Sequence, residues 1–428
     1  MYFYYILFII CLILGLQRYK FQYSAFLLMF IVLLILGAIR SATVGADVLY
    51  YCSEFKTMTY EKIYDEEHDF EPGFYLMMCL FKDYVSKDPM TFIHFIFIVY
   101  IVCNAWFVSK YSSHPAFTFF LIYALTFYLF AYNGMRQSLC HALCLLCVPM
   151  LYKKDRYRRL NRTKILSLIC VKLTIYRGLC SNTDIFERFS KVVCLLKQKG
   201  LMPIKRSLTG SLKVRPKRLY LNIYTALYCS LVIALSFAFH KSMVLLLVLP
   251  FFRYGKWFIF KAKYLFIGLF ASWIIGFTIP FFIADSLGAL SVIAFSDRYE
   301  TYMTNSQHIG EVSYFSNAIH TFYFLFLVYF GRKRKDPFLI TSVFGRIFAN
   351  ILSPISWIFN RLMDNLLFFM IIPMSRIWFG KPSRERTMFR IVTMIYLLFR
   401  FYGRIVREME SIYTIGQRDF IPYTTIFN

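Results

Sequence analysis

Residues 115–151 read PAFTFFLIYALTFYLFAYNGMRQSLCHALCLLCVPML. Two apolar runs, 115–132 and 137–151, are separated only by Asn133, Gly134, Met135 and Arg136. Such runs approach the length needed to cross a hydrocarbon core about 30 Å thick. Each must be helical, because lipid offers no partner to a free backbone N–H or C=O. Barrel strands alternate in polarity and never give runs of this kind. The pair therefore reads as a membrane hairpin with Arg136 held at its tip.

The same pattern repeats outward in both directions. Further apolar segments fall at 2–16, 22–39, 91–108, 219–239, 241–252, 264–284, 313–330, 338–359, 362–378 and 388–403. The expected fold is all-α: a polytopic integral membrane bundle of about twelve transmembrane helices. Composition agrees, with 59% hydrophobic residues and only 17% charged, where soluble domains carry about a quarter. The segment 2–16 lacks a basic start and a small-residue cleavage site, so it reads as a retained helix rather than a signal peptide. A net charge of +26 would suggest nucleic acid in a polar chain, but here the basic residues sit between apolar segments.

Those loop charges orient the bundle. Residues 152–218 hold nineteen Lys/Arg against three Asp/Glu. The short connections at 253–263, 331–337 and 379–387 are also basic. If the segments alternate, all four lie on one side, which the positive-inside rule makes cytoplasmic. The other side receives 40–90, with ten acids and five bases, and 285–312, with four acids and one base. Three regions follow: residues 1–151 with outer loop 40–90, a basic cytoplasmic loop at 152–218, and residues 219–428 with outer loop 285–312.

Polar clusters fall on the outer side of this arrangement. They are Arg40 to Tyr51 with Asp47 and Tyr50, the run Phe70-Glu71-Pro72-Gly73-Phe74, Tyr132 to Gln137 with Arg136, and Phe239-His240-Lys241-Ser242. Arg298 and Tyr299 lie in the second outer loop, and Arg361 at an outer helix end. Arginines gathered on the face where the charge rule disfavours them point to an anionic ligand. The planar guanidinium suits paired phosphate oxygens. A plainer reading has Arg40 and Arg136 snorkelling to headgroups, His240 packing by a hydrogen bond, and the acids solvated.

Cys144 and Cys147 form a CxxC on an apolar helix without a second ligand pair, so no metal site is expected. Cys52 and Cys79 share an outer loop, and spacing alone does not decide whether they pair. Nucleotide-binding loops, zinc-protease and serine-hydrolase motifs are all missing from the sequence, and so is a DxD metal-chelating pair. No cofactor is expected, and a sugar donor would be lipid-linked rather than nucleotide-linked.

At these residues the chain resembles the EpsG family, a branch of the Wzy-like polysaccharide polymerases. The similar pieces are Arg40…Val44-Gly45-x-Asp47…Tyr50, Glu71-Pro72-Gly73-Phe74, Asn133-x-Met135-Arg136-Gln137, Phe239-His240-x-Ser242 and the terminal Ile421-Pro422-Tyr423. They run in the family's order along nearly the whole chain. The stretch Gln137-Ser138-Leu139-Cys140 departs from the family's small-residue run, and the basic segment near 155–215 reads as an insertion.

The resemblance implies a metal-independent membrane glycosyltransferase. It would polymerise undecaprenyl-pyrophosphate-linked oligosaccharide units of an exopolysaccharide, capsule or O-antigen. The reaction would take place at the periplasmic face of a bacterial inner membrane, with a chain-length regulator as a further partner. Arg136, Arg40, Arg298, Arg361 and Gln137 would bind the substrate, and Tyr50 and Tyr299 would stack on sugars. His240, Asp47 or Glu71 would take the acceptor proton, with no choice made among them. A polysaccharide ligase and a non-enzymatic lipid-sugar transporter are the competing readings. A transporter should show an inverted repeat and broken midplane helices, and the sequence shows neither.

Overall fold

The computed structural model describes residues 2–45, 47–64, 70–152, 216–254, 261–278, 314–332, 336–354 and 357–415. Among these residues there are helices and connections but no strand. The chain divides into two compact units, one of residues 1–151 with 225–428 and one of residues 152–224. Arg298, Tyr299, the terminal Pro422 motif and most of the basic segment lie outside the described residues.

The N-terminal half holds α1 (Tyr2–Gly15), α2 (Gln22–Ala38), α3 (Val48–Thr57), α4 (Pro72–Tyr84), α5 (Pro89–Tyr111), α6 (Pro115–Ala124), α7 (Phe127–Phe130) and α8 (Met135–Leu151). The C-terminal half holds α9 (Pro216–Phe239), α10 (Val248–Tyr254), α11 (Ala262–Thr278), α12 (Tyr314–Gly331), α13 (Pro337–Leu352), α14 (Trp357–Leu367), α15 (Ile371–Trp378) and α16 (Arg384–Ile415).

The starts of these helices are written locally. The Asp88 carboxylate accepts from the N–H groups of Met90 and Thr91, at 3.3 and 2.8 Å, with Pro89 in the first turn. Asp336 caps α13 in the same way, accepting from Phe338 N–H ahead of Pro337. In each case a side chain satisfies an orphan donor, and proline occupies a position that needs none.

α5 and α6 form the centre of the N-terminal half. α5 packs against α2, α3 and α8, while α6 packs against α1 and α2. Every residue of α6 is buried, as expected of a helix that is apolar all round. In the C-terminal half α13 packs against α11, α12 and α14.

Among the described residues two helices, Tyr19–Ala38 with its leading 3₁₀ turn and Pro89–Tyr111, are long and apolar enough to cross a membrane. Six more apolar helices run 10–17 residues. Several expected crossings are broken into pieces. The segment 115–132 is interrupted at Thr126, whose φ of 67° no helix tolerates. The segment 241–252 opens as a 3₁₀ turn over Lys241–Leu247 before α10 begins. The expected count of about twelve crossings therefore rests on the sequence pattern.

The segment 40–90, expected as an outer loop, is more structured than its charge suggests, since it contains α3 and α4. Their buried faces follow helical spacing: Val48, Tyr51, Cys52 and Phe55 on α3, and Phe74, Tyr75, Met78, Cys79 and Phe81 on α4. Cys52 and Cys79 are both free thiols within this packing.

Candidate functional site

The aromatic core beneath α3 and α4 fixes the first side of the site. Tyr51 stacks on Phe70 with ring centroids 5.1 Å apart, and Phe70 packs edge-on to Phe74 at 5.5 Å. The chain leaves Phe70 extended at Glu71 and enters α4 through Pro72. Gly73 then lies against the end of α9, where a Cβ would stand 2.6 Å from the Ala238 carbonyl oxygen. That close approach brings Glu71 to the turn that carries His240.

Four separate stretches of chain meet here. The Arg136 Nη1 donates to Glu71 Oε2 at 2.7 Å, with side chains 19% and 12% exposed. Arg136 Nε donates to the Tyr51 hydroxyl at 3.3 Å, and its guanidinium lies 4.2 Å above the Phe70 ring. The second carboxylate oxygen of Glu71 accepts from Lys241 N–H at 3.3 Å. Gln137, the next residue, donates to the Arg361 carbonyl at 2.7 Å and to Asn365 Oδ1 at 3.2 Å. Asn365 in turn donates to the Ser242 hydroxyl at 3.4 Å. The 40–90 segment, the start of α8, the turn after α9 and α14 are thereby tied together by polar contacts.

His240 has a defined protonation geometry. Its Nδ1 accepts from Ser242 N–H at 3.3 Å and lies 2.7 Å from the Ser242 hydroxyl. A backbone N–H can only donate, so Nδ1 is the acceptor and the neutral ring carries its proton on Nε2. Burial, with the positive charge of Arg136, lowers its pKa to about 3. The imidazole is thus neutral at physiological pH and offers an N–H rather than a free lone pair. Burial also holds the Tyr51 phenol above its ordinary range, against the opposing charge of Arg136.

The other expected residues are placed differently. Arg40 is completely buried. Its guanidinium lies 4.4 Å from the Tyr132 ring and 5.6 Å from Phe97, with Nη2 3.6 Å from Met135 Sδ. It packs beneath the loop that presents Arg136. Asp47 precedes α3 and makes no capping bond with its side chain. Tyr50 is 39% exposed and packs edge-on to Phe70 at 5.5 Å, which leaves part of its ring open. Arg361 lies 5.8 Å above the Phe130 ring. No group of three His, Cys, Asp or Glu side chains that could hold a metal occurs among the described residues.

Sequence reasoning overlooked Tyr51 and Asn365. Tyr51 ends the Arg40–Tyr51 cluster but is given no role there, and Asn365 lies inside an expected span. A polar amide one turn from Arg361 on an apolar helix is the signal that could have found Asn365.

A family model described as the EpsG family matches residues 23–167 and 220–425. The break between the two matched stretches falls within the basic segment. Neither a curated protein nor a solved structure matches the chain.

Proposed function

The chain belongs to the EpsG family, and from that premise we propose that it polymerises lipid-linked oligosaccharide units at the outer face of a bacterial inner membrane. Membership makes it a membrane protein of polysaccharide biosynthesis; the substrate, face and residue roles are our own reading. The observation that carries it is the Arg136–Glu71 pair closed over by the His240 turn.

In the reaction, a hydroxyl oxygen of the incoming unit bonds to the anomeric carbon of the growing chain. The bond from that carbon to its undecaprenyl diphosphate breaks, and the diphosphate leaves with the electron pair. Arg136 neutralises the charge that develops on the leaving oxygen, as a pre-oriented cation does best where water is excluded. The Nε2–H of His240 donates to the same group. Of the three candidate proton acceptors, Glu71 fits best: it is held beside Arg136, whereas the Nδ1 of His240 is already engaged by Ser242 and its Nε2 carries the proton. Tyr50, part-exposed at the rim, offers a face for a sugar ring. Arg40 supports the loop from below. Asp47 has no role in this scheme.

The loop charges support the outer location, because Arg136, Glu71 and His240 all fall opposite the four basic connections. The test is an Arg136→Ala strain. It should retain single units on lipid and lose long polymer, with the rate of joining down by roughly 10²–10³-fold. Unchanged polymer length would remove Arg136 from the chemistry.

A further inference from the structure

Gln137 follows Arg136 directly at the start of α8, and Asn365 lies on α14. α14 is pressed onto α13 at Gly345, where a Cβ would stand 2.7 Å from the Leu366 Cβ. Both amides are buried, at 5% and 4% exposed. A buried amide needs its hydrogen bonds met, and the partners of these two define a direction.

That direction starts at a group that cannot change. The Arg361 carbonyl only accepts, so the Gln137 atom 2.7 Å from it is the amide nitrogen. The same nitrogen meets Asn365 at 3.2 Å, which makes the facing Asn365 atom its oxygen. Gln137, expected to bind substrate, therefore has both amide hydrogens engaged within the protein. The Asn365 nitrogen then faces the Ser242 hydroxyl at 3.4 Å, and the hydroxyl accepts. A hydroxyl has a single hydrogen, and with α14 presenting a donor it points to His240 Nδ1, 2.7 Å away. The Ser242 N–H also donates to Nδ1, but at 3.3 Å it is the longer and weaker of the two bonds. The hydroxyl thus has the larger part in keeping the neutral ring's proton on Nε2.

We propose that Asn365 is a positioning residue for the joining reaction: through the Ser242 hydroxyl it keeps the His240 proton on Nε2, the nitrogen that donates to the leaving diphosphate. The use of that proton rests on the polymerase reading; its location rests on the hydrogen bonds alone. The opposite direction would put the proton on Nδ1 and leave a lone pair on Nε2. That lone pair would face a developing negative charge and repel it. Arg136 and Gln137 are neighbours, so the turn that presents the guanidinium also sets the direction of the bonds that reach His240.

Nitrogen NMR of the full chain, labelled at histidine and purified in detergent, reads the tautomer directly. The His240 signals are assigned by their loss in His240→Gln. The wild type should carry the proton on Nε2. Asn365→Asp has nearly the same shape and still accepts from Gln137, but it replaces the donor facing Ser242 with an acceptor. The hydroxyl hydrogen should turn to that acceptor, and the His240 proton should move to Nδ1. A strain with the same variant should form long polymer roughly 10²-fold more slowly, as for the loss of one donor to a developing charge. Asn365→Asp combined with Ser242→Ala has no hydroxyl to turn, so the proton should stay on Nε2. A move to Nδ1 in that double variant would make the effect one of charge alone and overturn the route through Ser242. Asn365→Leu removes the donor without adding charge and should give both tautomers; it takes the place of Asn365→Asp if that variant does not stay folded and monodisperse. A proton that remains wholly on Nε2 in the single variant would overturn the inference and leave the polymerase reading intact. A proton that moves while polymer forms at the wild-type rate would instead overturn the part of His240 in that reading, and with it the positioning role of Asn365.

Discussion

Arg136 is held by three different interactions: an ion pair with Glu71, a hydrogen bond with Tyr51 and the face of Phe70. Lysine could keep the charge but not the fork, so Arg136→Lys should retain binding of a diphosphate yet make shorter polymer, read from the chain-length ladder on a gel. His240 makes a prediction in pH. Its folded pKa is lowered to about 3, whereas an unfolded histidine titrates near about 6.5. Between those values the unfolded chain takes up a proton that the folded chain refuses. Stability from this residue is therefore full above about pH 6.5 and falls as the pH falls through the window. His240→Gln should flatten the acid side of a plot of melting temperature against pH. Arg40, sandwiched by Tyr132 and Phe97, contributes through packing and a cation–π contact of about 0.5–2 kcal/mol. Arg40→Met should therefore lower the melting temperature more than it lowers diphosphate affinity, measured on the same purified sample. At this scale much of the site was legible, because Glu71, Arg136, Gln137 and His240 all stood in motifs beside apolar runs. Asn365 was not, because it lies within a segment that reads as a span, where a lone amide looks like a packing residue.

At the scale of elements, the sequence was clearest where apolar runs were long and capped, as at α5 behind Asp88 and Pro89. It was least clear in residues 40–90, where ten acids and five bases suggested a plain loop. The apolar positions 48, 51, 52 and 55 nevertheless keep helical spacing, and the structure buries all four. Charge on the outward face had masked an inward stripe. The meeting of α4 with α9 depends on Gly73, where a Cβ would stand 2.6 Å from both the Ala238 Cβ and its carbonyl oxygen. Gly73→Ala should push the two helices apart, loosen Glu71 from the His240 turn and cost about 1–3 kcal/mol of stability. A thermal melt and the polymer ladder together would report both effects. The break at Thr126 works the other way. A β-branched residue at φ 67° stores about 1–3 kcal/mol, and glycine there costs about 0.5–1 kcal/mol in entropy. The strain term is the larger, so Thr126→Gly should leave the melting temperature unchanged or raised.

For the whole molecule, the decisive property is sidedness. On the proposed reading, alternating apolar segments and basic connections assign each loop a face, and Arg136, Glu71 and His240 fall opposite the basic connections. Among the described residues the cysteines are buried, apart from the half-buried Cys229, and labelling of an added cysteine is read as the gain over the parent chain. Thr43→Cys should be labelled in intact cells and Lys381→Cys only after permeabilisation; the reverse pattern would invert the bundle. Helix class was legible from composition and periodicity alone; the breaks at Thr126 and over Lys241–Leu247, and the helices within 40–90, were not. The joining of distant segments through Gln137, Asn365 and Ser242 was not, because no local rule pairs residues more than a hundred positions apart.

The carboxylate of Glu71 is engaged on both oxygens, by Arg136 and by the Lys241 N–H. On the proposed reading, an arriving diphosphate would compete for the same guanidinium and so set the carboxylate loose. Such a protein would carry a safety catch: its base would be armed only by the cargo it serves, leaving little means of spending a lipid-bound glycan on water.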